Sequence, residues 1–180
     1  MRVTVALDPA EPRVAAGTQR YDLRADPRAI ERIEAARAWP ALRRFLANLN
    51  SEESLFATIG SRVWSAQEED QAGPCVWASR VDVVFARQTA NLGRGTHENL
   101  AHRLAALLER ESGDALRAEL RISPARFPGE ISGFCLRLIL CANGPTQEQA
   151  QIRWGFGLAR LQQALLFASR TLRQEFEAAG

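Results

Sequence analysis

Lysine is absent from this chain: all 23 of its basic side chains are arginine. No Schiff-base lysine, phosphate-loop lysine or lysine general base can therefore operate here. Histidine is scarce. The only two, His97 and His102, stand five apart in His97-Glu98-Asn99-Leu100-Ala101-His102. Chelation from one helix needs i, i+4 spacing, about 40° around the axis, whereas five residues give about 140°. The three cysteines supply no ligand spacing either, so the expectation is no metal and no cofactor. Cys135 and Cys141 share a strand face but lie about 20 Å apart at ~3.3 Å per residue, too far to pair within that strand. Scattered thiols in odd number suit a reducing cytoplasm.

Long apolar runs are missing too. Met1 to Asp8 is too short for the apolar region of a signal peptide, and no stretch approaches a membrane span. Nor does one sign of charge dominate: 23 basic and 21 acidic residues leave a formal net charge of +2. That balance names neither a nucleic acid nor a membrane as partner. Ser61, Ser79 and Ser123 lack a nucleophile-elbow sequence, and Glu68-Glu69-Asp70 falls in a polar turn. The absences together point away from catalysis. At 180 residues and 46% hydrophobic content, one domain spanning 1–180 can bury a core without staples.

What is present is period. Val3, Val5 and Leu7 alternate as a strand, Asp8 to Thr18 reads as a loop, and Gln19 to Leu23 reads as a short strand pairing back. Asp26-Pro27 opens a helix carrying Ile30 and Ile33. Trp39-Pro40 interrupts it, and a second segment follows through Leu42, Phe45, Leu46 and Leu49. Strands are expected at Leu55–Ser65 and Cys75–Ala86, joined by a polar turn over Gln67–Pro74. Thr96 then caps a helix with Leu100, Leu104, Leu107 and Leu108, stopped by Ser112-Gly113. Leu116 to Ser123 alternates cleanly, Pro124 to Glu130 turns, and Phe134 to Cys141 returns. Thr146 with Gln149 makes a capping box for the last helix. That helix carries Ala150, Trp154, Leu158, Leu161, Leu165, Ala168 and Leu172, and its second row, Ile152, Phe156 and Phe167, predicts burial of more than one face.

The pattern strand, strand, glycine turn, threonine, helix thus occurs twice, at about 55–111 and 116–176. The turns share letters: Ala90-Asn91 through Gly95-Thr96 parallels Ala142-Asn143-Gly144-Pro145-Thr146. The expected fold is α+β: an antiparallel sheet built from a duplicated ββα unit with helices on one face, plus an N-terminal strand or hairpin and helix. Gly93-Arg94-Gly95-Thr96 meets a helix N-terminus, where anions are favoured, but the matching turn at Gly144 reads more simply as a tight turn and cap.

The less ordinary feature is the sheet's second face. It carries Arg62, Trp64, Arg80, Asp82, Arg117, Glu119, Arg121 and Arg137, interleaved with Phe56, Val76, Val84, Cys135 and Ile139. A solvated face is more uniformly polar, and this mixture resembles an interface. Aromatics for base stacking are too few there, which argues against nucleic acid. The expected function is a non-catalytic cytoplasmic protein-binding or assembly module. It would be homodimeric through that face, with Arg62, Trp64, Arg80, Asp82, Arg121, Arg137 and Ile139 as binding residues. The alternative is a small-molecule binder or enzyme with a pocket between sheet and C-terminal helix, lined by Trp154 and Phe156 beside Gly155 and Gly157.

Overall fold

The computed structural model describes residues 1–8, 21–66, 75–109 and 115–178. Five strands, β1 (Arg2–Leu7), β2 (Phe56–Ala66), β3 (Cys75–Phe85), β4 (Leu116–Phe127) and β5 (Ile131–Gly144), form one sheet in the order β1-β4-β5-β3-β2. Helices α1 (Glu34–Ala38), α2 (Pro40–Leu49), α3 (Arg94–Leu108) and α4 (Gln147–Ala178) bury their apolar stripes in a single core on one side of it. On α4 the stripe repeats every three or four residues through Ala150, Trp154, Leu158, Leu161, Leu165, Ala168 and Leu172, the spacing at which a 3.6-residue period keeps one face inward. The sheet answers with the period-two set Leu136, Leu138, Leu140 and Ala142 of β5.

The sheet is mixed, not antiparallel throughout. β1 runs parallel to β4, with Val3 opposite Ala118 and Leu7 opposite Ile122. Of the return strand expected over Gln19–Leu23, Tyr21 to Leu23 are not strand, and Gln19 and Arg20 lie outside the described residues. The turn expected at Gln67–Pro74 and the stop at Ser112-Gly113 lie outside them as well. β4 continues through Pro124, which pairs with Phe134, so the turn shrinks to Pro128–Glu130, with Gly129 at φ 78°. Among the described residues β1 has ended by that point, the Asp8 amide donating to Ile122 O at 3.0 Å. Alternate backbone groups face alternate neighbours, so the missing N–H of Pro124 lies on the β1 side, where no described strand needs it.

The N-terminal helix divides. Pro27–Arg32 is a 3₁₀ turn capped by the Asp26 carboxylate, which accepts from the Arg28 amide at 3.2 Å, and extended backbone at Ile33 and Trp39 separates α1 from its neighbours. Thr146 caps α4 as expected, its hydroxyl accepting from the Gln149 amide at 3.2 Å. Thr96 does not cap α3. It is the third residue of that helix, Gly93 stands at the cap without a side-chain bond, and a 3₁₀ turn over Gln88–Asn91 intervenes after β3. The Asn91 side chain anchors that turn, accepting from the Phe85 amide and donating to the Phe85 carbonyl, both at 2.8 Å. A threonine after a glycine turn is a permissive signal, and the helix starts two residues before it, at Arg94.

Candidate functional site

No described helix packs on the other face of the sheet, and the strand register sets its side chains in rows. Gly60, Asp82, Arg137, Arg121 and Ala6 form one row across β2, β3, β5, β4 and β1. The next is Arg62, Arg80, Ile139, Glu119 and Thr4, and a third is Trp64, Ala78, Cys141, Arg117 and Arg2. All seven binding residues expected from sequence thus stand in three adjacent rows. Phe56 is the misplaced member. It is fully buried on the helix side, its ring centroid 5.3 Å from that of Phe85. A bulge between Thr58 and Gly60 changes the alternation within β2, so residues on either side of it cannot be assigned to one face by parity.

The charges form an alternating chain within one molecule. Arg80 Nε lies 3.7 Å from Asp82 Oδ2, and Arg137 Nε donates to Asp82 Oδ1 at 2.8 Å. Arg137 Nη1 donates to Asp8 Oδ2 at 3.1 Å, Arg121 Nη1 to Asp8 Oδ1 at 3.2 Å, and Arg121 Nε to Glu119 Oε1 at 2.7 Å. The Ser123 hydroxyl adds a 2.6 Å bond to Asp8 Oδ2. Sequence reasoning missed Asp8, the hinge of this chain of charges, and assigned it to a loop. Only the parallel docking of β1 on β4 brings it over β5, and no local pattern encodes that pairing.

Partial burial alone would raise the pKa of Asp8. The Ser123 hydroxyl, the Arg137 charge and the Arg121 guanidinium outweigh it, so the carboxyl falls below its usual 3.8. A carboxyl whose folded pKa is depressed contributes stability that is complete above the unfolded value and drains away as pH falls through the folded one. Asp8→Asn is therefore expected to be less stable than the wild type at pH 7, with the difference shrinking below about pH 4. Urea unfolding at pH 7 and pH 3 checks this, and a difference independent of pH would show that the network does not depend on that charge.

Burial, reinforced by the Asp82 charge, pushes the Cys135 thiol up to about 12, and burial also raises Cys141. Neither is set up as a nucleophile. Cys135 joins Val84 and Ala125 in a small apolar cluster flanked by Ala57, Ile59 and Phe127. His97 is fully buried against Phe85, and burial lowers its pKa, so it is neutral; His102 is exposed, and the two imidazoles do not converge. Among the described residues no three His, Cys, Asp or Glu side chains are grouped to hold a metal. Among the described residues no helix is long and apolar enough to cross a membrane.

The pocket expected around Trp154 and Phe156 is filled. Trp154 is 1% exposed, lies against Trp39 and Trp77, and donates from Nε1 to Ser79 Oγ at 2.8 Å. Phe156 points the other way and is 66% exposed. Gly157 opens no space: a Cβ there would meet Leu140 Cδ2 at 2.9 Å, so the glycine serves close packing of helix on sheet. The second row of α4 is exposed rather than buried, with Ile152 and Phe167 outward beside Phe156. Hydrophobic spacing identifies a stripe but does not count the layers available to cover it.

No family model, curated protein or solved structure matches the chain.

Proposed function

We propose that this chain is a non-catalytic protein-binding or assembly module that forms a homodimer through the face of the sheet opposite its helices. What supports the reading is the composition of that face: Ile139 at its centre, Trp64 and Val76 toward one side, and ion pairs already closed within the chain. Carboxylates that bring their own arginines are cheaper to desolvate than lone ones, and a twofold contact sets the patch against itself. Arginine–carboxylate bonds between subunits, Arg80 to the partner's Asp82 for example, are not needed to neutralise these groups. The three free thiols suit a reducing compartment.

A second surface competes for the same role. Ile152, Phe156 and Phe167 make an exposed apolar stripe along α4. Analytical ultracentrifugation on the order of tens of micromolar separates the two. The wild type is expected to be a dimer, dissociated by Ile139→Glu through the burial of an unpaired charge, and unaffected by Phe156→Glu. A wild-type monomer, or a dimer indifferent to Ile139→Glu, overturns the reading. Dissociation by Phe156→Glu alone moves the interface to α4.

We also propose that β2–β3–α3 and β4–β5–α4 descend from one duplicated ββα unit. Each is a hairpin followed by a helix packed in the common core, and β3 lies antiparallel beside β5, as a pseudo-twofold relation requires. Superposition of the two Cα traces tests it, and unrelated helix directions would end it.

A further inference from the structure

We propose that a second site, remote from the sheet face and independent of any role in assembly, binds an amphipathic organic anion: a phosphate head group on a small apolar body. A cavity of about 610 Å³ opens where β2 begins and β3 ends, between the Gln88–Asn91 turn, the first turn of α3 and the far end of α4. Three arginines, Arg24, Arg87 and Arg173, line it, with Glu52 as the one acidic residue of the lining.

Two of the three are held in place without being neutralised. Arg24 Nη1 donates to the carbonyls of Ser51, Ser54 and Phe56 at 2.9, 2.8 and 3.1 Å. Arg173 Nη2 donates to the Glu53 carbonyl at 2.7 Å. Carbonyls fix a guanidinium's position but leave its full charge, and among the described residues none of the three arginines pairs with a carboxylate. The nearby Asp22 carboxylate is engaged by the backbone amides of Arg24 and Ala25. Guanidinium N–H groups match the oxygens of a phosphate bidentately. Arg24, whose Nη1 hydrogens serve three carbonyls and whose Nη2 lies 3.5 Å from the Glu52 carbonyl, contributes mainly its charge. The N–H contacts therefore fall to Arg87 and Arg173, and Thr89 and Thr96 line the same cavity with hydroxyls that can donate.

The rest of the lining decides the other half of the ligand. Leu55 and Ala90, both half-buried, present apolar surface beside the arginines, while Phe85, 4% exposed, offers almost none. An inorganic anion would leave that surface wet, and a neutral hydrophobe would leave three charges unanswered. A phosphate ester of a small aromatic or alkyl group satisfies both.

Isothermal titration of the full chain with phenyl phosphate, inorganic phosphate, phenylacetate and phenol tests the proposal. Phenyl phosphate is expected to bind tightest, about tenfold or more ahead of each of the others, and to lose about tenfold or more on Arg87→Glu, which reverses the charge of an exposed side chain. Absence of phenyl phosphate binding at millimolar concentration, or undiminished binding by Arg87→Glu, overturns it. Inorganic phosphate binding as well as the ester would remove the apolar half, and phenylacetate binding as well would remove the preference for phosphate; either result refutes the ligand class named.

Discussion

Arg137→Ala is expected to cost about 3 kcal/mol of folding stability, well above any surface charge in this chain. Arg137 stands between two carboxylates, Asp82 and Asp8, whose side chains are only 11% and 17% exposed. Removing the cation leaves Asp82 with the 3.7 Å contact to Arg80 and Asp8 with Arg121 and Ser123, so two guanidiniums serve the three carboxylates of the network. Breaking a buried pair is costly because of the charge left behind. Arg103→Ala supplies the contrast. Its guanidinium makes a bidentate pair with Glu175, at 2.8 and 3.0 Å, but in an exposed setting, where such pairs contribute about 1 kcal/mol or less. Urea unfolding of both variants decides the matter. A loss below about 1 kcal/mol for Arg137→Ala would mean that water reaches the network freely, which would also weaken the case for an interface there.

Trp154→Ala is expected to cost about 3–5 kcal/mol, the range for deleting a large buried aromatic. The indole is 1% exposed and bonded to Ser79. Its ring centroid lies 6.4 Å from those of both Trp39 and Trp77, which are themselves edge-on at 4.8 Å. The residue therefore ties α4, β3 and the start of α2 together, and its loss leaves a cavity where the three meet. Tryptophan fluorescence during urea unfolding reports on the same cluster. A loss under about 1.5 kcal/mol would show that α4 is held mainly elsewhere. Unchanged stability together with the appearance of a ligand site would revive the pocket once expected beside Gly155 and Gly157.

Residue spacing alone told the sides of β3, β4 and β5 apart, because the strand period follows from backbone geometry: Leu136, Leu138 and Leu140 fall opposite Arg137 and Ile139. The open-face residues from Arg62 to Ile139 were legible for that reason. So was the missing metal spacing of the two histidines, since helix geometry alone separates them. On α4 the spacing gave the buried stripe through Trp154 but read the Phe156 row as buried too, and the structure leaves that row exposed.

Three matters were decided only in the folded chain. The parallel pairing of β1 with β4 joins segments more than a hundred residues apart, and it makes Asp8 the centre of the charge network. A bulge in β2 carries Phe56 to the buried face, because one extra residue changes parity without changing composition. The arginines of the second cavity come from positions 24, 87 and 173, which no motif connects. Spacing encodes which way a side chain points within its own element. Which elements meet depends on how their buried faces share one core, and that is a property of the whole chain.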